Sequence, residues 1–294
     1  VWSSDVCSSD LVVVPHQILW WHEIVNLDRG STSVAVTYCP LTGSSLAFSR
    51  QAVDGEELIV SGILYQNNLM LAAGETGETL YSQMLRTGVC GPRLGQDLET
   101  VPVMEMTWAA WQDLYPDTEV LSYETGFRRN YTDYPYGSYE AENNDRTLFP
   151  VEEIDQRRPP KERVLGIPEE EGVRGLALPF GELEEAGDRA VVEGEVDGEK
   201  VVVFWSAAAR AAVAFRPWVE GSSGSPLLSF EVENGSFVDR ETGTSWRLDG
   251  RARVGDLSGE RLVSVDHAYV AFWFAWALFQ PGTDVWNAPS GSGQ

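Results

Sequence analysis

Apolar positions recur along this chain with the spacing of strands. Val34–Tyr38, Leu58–Ile63 and Val201–Trp205 alternate or run apolar over a few residues, bounded by Gly, Asp and Asn. Asp54-Gly55, Asp197-Gly198 and Asn234-Gly235 are pairs suited to hairpin turns. Two stretches change to a helical period. In the first, Thr107 caps a helix, Trp108, Trp111, Leu114 and Tyr115 fall near one face, and Pro116 stops it. In the second, Trp273, Trp276 and Phe279 repeat the pattern before Pro281. These tryptophans predict a helix packed on a sheet.

The pattern occurs twice. Val34–Arg50 (VAVTYCPLTGSSLAFSR) aligns without a gap on Val201–Pro217 (VVVFWSAAARAAVAFRP). Tyr81 then meets Trp246, Gly95 meets Gly259, and Ala110-Trp111, Pro116, Thr118 and Val120 meet Ala275-Trp276, Pro281, Thr283 and Val285. Self-similarity in this order reads as a tandem duplication. The expected fold is α+β, mainly antiparallel β, in two homologous tandem halves that each end in a short helix. The first repeat spans 12–122 and the second, degenerate one 188–288, with an aromatic and acidic connecting segment at 123–187 and a tail at 289–294. Residues 2–11, WSSDVCSSDL, resemble the translated end of a common sequencing adapter, so 1–11 are set aside from fold reasoning. On that reading the natural N-terminus lies outside this sequence.

Charge narrows the function classes. The 294 residues include 45 acidic and 21 basic side chains, a net charge of −24. That excludes the basic stripe of a nucleic-acid binder and opposes docking on an anionic membrane. Lys161 and Lys200 are the only lysines. Acid excess of this kind suits a chain dissolved in concentrated salt. The longest apolar run, Ala268–Phe279, is about half the ~20 residues a spanning helix needs, so no transmembrane segment is expected.

The two copies also act as an internal control, because positions found in only one copy are candidates for function. Trp20–Asn26 and Cys39–Gly43 are such positions. If Ile18–Val25 and Val34–Tyr38 are adjacent antiparallel strands around a turn at Asp28-Arg29-Gly30, His22 falls opposite Cys39. A thiol beside an imidazole forms a thiolate, usable as a nucleophile or a metal ligand. Cys39, His22 and Glu23 are therefore the candidate catalytic residues, and Cys39 with His22 the candidate ligands of a single copper or zinc ion. Thr42 stands where a second thiol would complete Cys-x-x-Cys, which disfavours dithiol redox chemistry and a closed structural zinc site. The competing reading makes Cys39 a small buried hydrophobe. In the connecting segment, Arg129, Tyr131, Asp133 and Tyr136 are candidate ligand-binding residues, with Arg129 and Asp133 also able to form an ion pair. His16 and His267 have no spacing that brings them to this site.

WHEIVN, TYCPLTG, RNYTDYPYGSY, LFP and KERVLG together resemble a family of prokaryotic proteins known only as a domain of unknown function, over nearly all of 12–288. Many members read CPLCG where this chain reads CPLTG. The resemblance implies an exported, often lipid-anchored protein at the cell surface, with many members from salt-loving archaea. It implies no activity. Two expectations stand: a thiol or metal site in the first repeat acting on a small molecule, or a non-catalytic surface module that binds a glycan or a protein.

Overall fold

A computed structural model describes residues 11–74, 77–170, 174–221 and 227–289. Of the segment set aside as adapter-derived, only Leu11 lies within the described residues; its carbonyl accepts a hydrogen bond from Thr118 Oγ1 at 3.1 Å. The first half runs β1 (Val12–Val13), α1 (His16–His22), β2 (Ile24–Arg29), β3 (Thr32–Cys39) and β4 (Ser44–Ser49). It continues through β5 (Ile59–Tyr65), β6 (Asn68–Ala73), β7 (Thr79–Ser82), β8 (Thr87–Cys90) and β9 (Thr100–Val101) to α2 (Trp108–Leu114) and β10 (Glu119–Val120). No helix or strand forms from Leu121 to Glu162, and β11 (Arg163–Pro168) follows.

The second half runs β12 (Gly175–Pro179), α3 (Phe180–Ala186), β13 (Arg189–Val196), β14 (Glu199–Ser206) and β15 (Ala211–Val219). Then come β16 (Phe230–Glu233), β17 (Ser236–Asp239), β18 (Ser245–Trp246), β19 (Ala252–Val254) and β20 (Leu262–Ser264). It closes with β21 (Tyr269–Phe272), α4 (Trp273–Phe279) and β22 (Asp284–Val285). The fold is α+β, dominated by antiparallel sheet. Among the described residues no helix is long and apolar enough to cross a membrane.

Strand order is the same in the two halves. The sheet β2-β3-β4-β9 has its counterpart in β13-β14-β15-β20, and the meander β5-β6-β7-β8 in β16-β17-β18-β19. Registers correspond too: Phe48 pairs with Thr100 as Phe215 pairs with Ser264, and Leu71 with Tyr81 as Phe237 with Trp246. Parallel pairing of β1 with β10 is matched by β12 with β22, so the correspondence begins at Gly175, ahead of the expected boundary at 188.

The two tryptophan helices, α2 and α4, reach across to the other half, α4 while also packing on β11 and β21. Trp273, Phe274, Trp276 and Phe279 of α4 are buried in one cluster with Cys39, Phe48, Leu71 and Tyr81 of the first half. Met106 and Ala110, at α2, pack against the second half's Phe204, Phe215 and Trp246. Equivalent backbone bonds seal both contacts: Thr107 N–H donates to the Ala209 carbonyl at 2.9 Å, and Phe272 N–H to the Thr42 carbonyl at 2.8 Å. Each large apolar side chain buried contributes about 1.5–3 kcal/mol, against about 1 kcal/mol for such a bond, so the aromatic burial dominates. Gly43 is required here, since its φ is +60° and a Cβ would lie 2.9 Å from the Phe272 ring.

Three local expectations are corrected. Asp54-Gly55 is no hairpin turn; Asp54 ends a 3-10 turn over Arg50–Val53 and leads from β4 to β5. Trp108 is exposed, while Trp111 and Tyr115 alone of that face are buried. Ile18–Val25 is not one strand: its first part belongs to α1.

Candidate functional site

The run His16-Gln-Ile-Leu-Trp-Trp-His22 forms a helix because Pro15 opens it and Ile18 and Leu19 bury one side. Glu23 ends it with φ +59°, its N–H donating to the Leu19 carbonyl at 2.8 Å. The β2–β3 ladder pairs Ile24 with Thr37, and the Tyr38 N–H still reaches the Glu23 carbonyl at 2.8 Å. The next facing pair would be His22 and Cys39. The helix intervenes, and His22 turns away.

His22 Nε2 instead lies 2.6 Å from the Tyr131 hydroxyl, with its ring 5.2 Å from Phe127. Partial burial, then the nearby Arg129 charge, holds its pKa below the usual histidine value, so the ring is neutral at pH 7. Tyr131 also meets Thr125 Oγ1 at 2.5 Å and stacks on Tyr123 at 5.4 Å. Arg129 lies over Trp21, 5.7 Å from the ring centre. Asp133 takes the Asn130 amide at 2.5 Å, and Arg129 donates to the Arg128 carbonyl at 3.1 Å rather than pairing with Asp133. Phe127 is 62% exposed and Tyr123 52%.

Cys39 faces the other way. It is 1% exposed, and its thiol donates to the Asn67 carbonyl at 3.5 Å. Burial pushes the thiol pKa up, a shift that the Thr42 hydroxyl and the Leu41 and Thr42 amides oppose without reversing. The Glu23 charge raises it further, and burial raises the Glu23 carboxyl itself. Tyr136 feels both Glu23 and Cys39. The thiol is therefore protonated and closed in, the opposite of an activated nucleophile. Neither the hydrogen bonds nor the charged neighbours of Cys39 and His22 include the other. Among the described residues no group of three or more His, Cys, Asp or Glu is placed to hold a metal ion.

Beneath Cys39 lies a buried network that sequence reasoning missed. Asn68 Nδ2 donates to Thr42 Oγ1 (3.0 Å), Ser44 Oγ (3.1 Å) and Gln83 Oε1 (2.7 Å). Gln83 Nε2 donates to Thr37 Oγ1 at 2.8 Å. Four of the five matching places in the second half are apolar: Phe204 for Thr37, Ala209 for Thr42, Ala211 for Ser44, and Leu248, which follows Trp246 as Gln83 follows Tyr81; Asn68 meets another asparagine, Asn234. That polar-for-apolar contrast was present in the gap-free alignment at Thr37, Thr42 and Ser44, but Gln83 lies outside it.

The irregular segment covers this turn. Tyr134 and Tyr139 hydroxyls donate to the Pro40 and Leu41 carbonyls, at 3.4 and 2.9 Å. Asn67 exchanges two hydrogen bonds of 2.9 Å with the Phe149 backbone. Lys161 is buried with Nζ 3.7 Å from the Tyr139 ring and 2.8 Å from the Arg146 carbonyl, its pKa lowered to about 8 by burial.

One family model, described as "Protein of unknown function (DUF3179)", matches residues 8–283. No curated protein and no solved structure matches the chain.

Proposed function

The chain belongs to the family of proteins of unknown function DUF3179, and from that premise we propose that it is a non-catalytic module of the cell surface that binds a glycan. The observation that carries this reading is the ring cluster at the end of α1, in which exposed Tyr123 and Phe127 are backed by buried Tyr131 and half-buried His22, with half-buried Trp21 beside them under Arg129. Large rings left in solvent are uncommon unless something covers them. Phe127 lies against His22, Tyr123 stacks on Tyr131, and Arg129 lies over Trp21, so little side-chain freedom is lost on binding. Their faces suit the apolar side of a sugar ring. Polar edges surround them in His22, the Thr125 and Tyr131 hydroxyls and Arg129, which favours a hydroxyl-rich ligand over an apolar protein patch.

The shared strand order and register support descent of both halves from one duplicated unit, with the binding face kept only in the first. Surface location and adaptation to concentrated salt belong to the same proposal, supported by the acid excess. The test is binding of the full chain to a panel of immobilised oligosaccharides. Trp21→Ala and Phe127→Ala should each weaken it about tenfold without shifting the thermal midpoint. A panel without any ligand, at low and at high salt, sinks the reading.

A second reading is favoured by the network under Cys39, which the second half lacks: a thiol site that opens when the tyrosine segment lifts. Its mark would be alkylation of Cys39 in the native protein as fast as a free thiol.

A further inference from the structure

His16, which spacing alone leaves without partners, is the centre of a second polar cluster. Its ring packs on Tyr38 with centroids 4.7 Å apart, and its Nε2 is 3.8 Å from Glu105 Oε2. That oxygen accepts the Ser45 hydroxyl at 2.7 Å, while the other carboxylate oxygen takes the Arg163 guanidinium. Arg163 also lies 3.9 Å from Glu140. Tyr38 is fully buried, and its hydroxyl has no hydrogen bond of normal geometry. The cluster is open on one side, where the His16 and Glu140 side chains are 28% and 34% exposed.

The fold does not need these groups. Phe180 opens α3 as His16 opens α1, Trp205 is the penultimate residue of β14 as Tyr38 is of β3, and Ala212 stands for Ser45. Val270 precedes Phe272 as Glu105 precedes Thr107, the two residues that make the equivalent crossing bonds. All four replacements are buried and apolar, and Phe180 packs on Trp205 at 5.0 Å. Burying polar and charged groups where apolar ones pack as well costs stability, so a reason other than folding keeps them.

The cluster lies at the start of α1 and the aromatic face at its end. His16 and Trp20 are one turn apart on α1, Trp20 meets Tyr134 edge-on at 5.2 Å, and Trp21 and His22 follow. From His16 to His22 is about 9 Å along the helix. We propose that His16, Tyr38, Glu105 and Arg163 form a subsite that recognises the hydroxyls of a neutral sugar and rejects an acidic one, a specificity that rests on the glycan-binding reading above. Donors and acceptors alternate within the cluster, and a hydroxyl serves both. Two carboxylates flank the single guanidinium, so an added carboxylate or sulfate meets net negative charge.

The test imports the second half's residues. His16→Phe with Tyr38→Trp, in the full chain, is compared with Trp21→Ala by calorimetric titration with N-acetylglucosamine oligomers and with glucuronic-acid oligomers. The expected result is an unaltered chain that prefers the neutral oligomer and a double variant that keeps its thermal midpoint but binds it about tenfold less tightly. A double variant that binds as the parent does, or one that unfolds early with binding intact in the remaining native fraction, overturns the subsite. A parent that prefers the acidic oligomer overturns it too. If Trp21→Ala binds normally while the double variant does not, the aromatic face is wrong and the subsite stands. No binding of either oligomer by the parent at millimolar concentration removes both.

Discussion

Nε2 of His22 lies 2.6 Å from the Tyr131 hydroxyl, across 109 residues of chain. That contact fastens the irregular segment to the end of α1 and orients the ring beside Phe127. Tyr131→Phe removes the hydroxyl shared with Thr125 and leaves the stacked ring in place. It should cost about 0.5–1.5 kcal/mol in denaturant unfolding, the worth of one net hydrogen bond. A change near zero would mean that the segment is held by its other anchors, the Tyr134 and Tyr139 hydroxyls and the Asn67–Phe149 bonds.

Cys39 and Cys90 are both free, one buried and one exposed. Iodoacetamide should modify Cys90 first, and Cys39 only under unfolding conditions, because its thiol is closed in and its pKa is raised. Mass spectrometry of the modified peptides reads the order. Equal rates in the native protein would return the thiol site to first place.

Gln83→Leu gives the first half the residue type of Leu248, yet it should destabilise. Asn68, Ser44 and Thr37 would each lose a buried partner, a loss on the order of 2–3 kcal/mol. Replacing Thr42 and Ser44 by alanine in the same chain should add less than the sum of the separate losses. Additive losses in a double-mutant cycle would show that the network is not cooperative.

Lys161 gives a signature in alkali. Its folded pKa, lowered to about 8, lies under the unfolded value near 10.4, so between these the unfolded chain binds more protons. Stability should therefore rise as pH goes from about 8 towards 10, and the penalty should be fully present below 8. Lys161→Met should flatten that rise, read as denaturation midpoints across the window. A parent protein with no rise would place the ammonium in better solvent contact than its aromatic surroundings suggest.

Strand spans, the turns at Asp197-Gly198 and Asn234-Gly235, and the helix between Thr107 and Pro116 were legible in the sequence, because each depends on spacing within a few residues. The ladder arithmetic that set His22 opposite Cys39 was sound in register. It failed because a short apolar run such as Ile18–Trp21 fits a strand or a helix equally well, and packing of Ile18 and Leu19 chose the helix. Which sheet α4 covers was beyond the sequence, since an apolar face carries no address and only the tertiary fold sent it to the first half. The same holds for His16, whose partners Glu105 and Arg163 come from distant segments. Local periodicity determined the elements; burial, which is a property of the assembled chain, decided which of their polar side chains met.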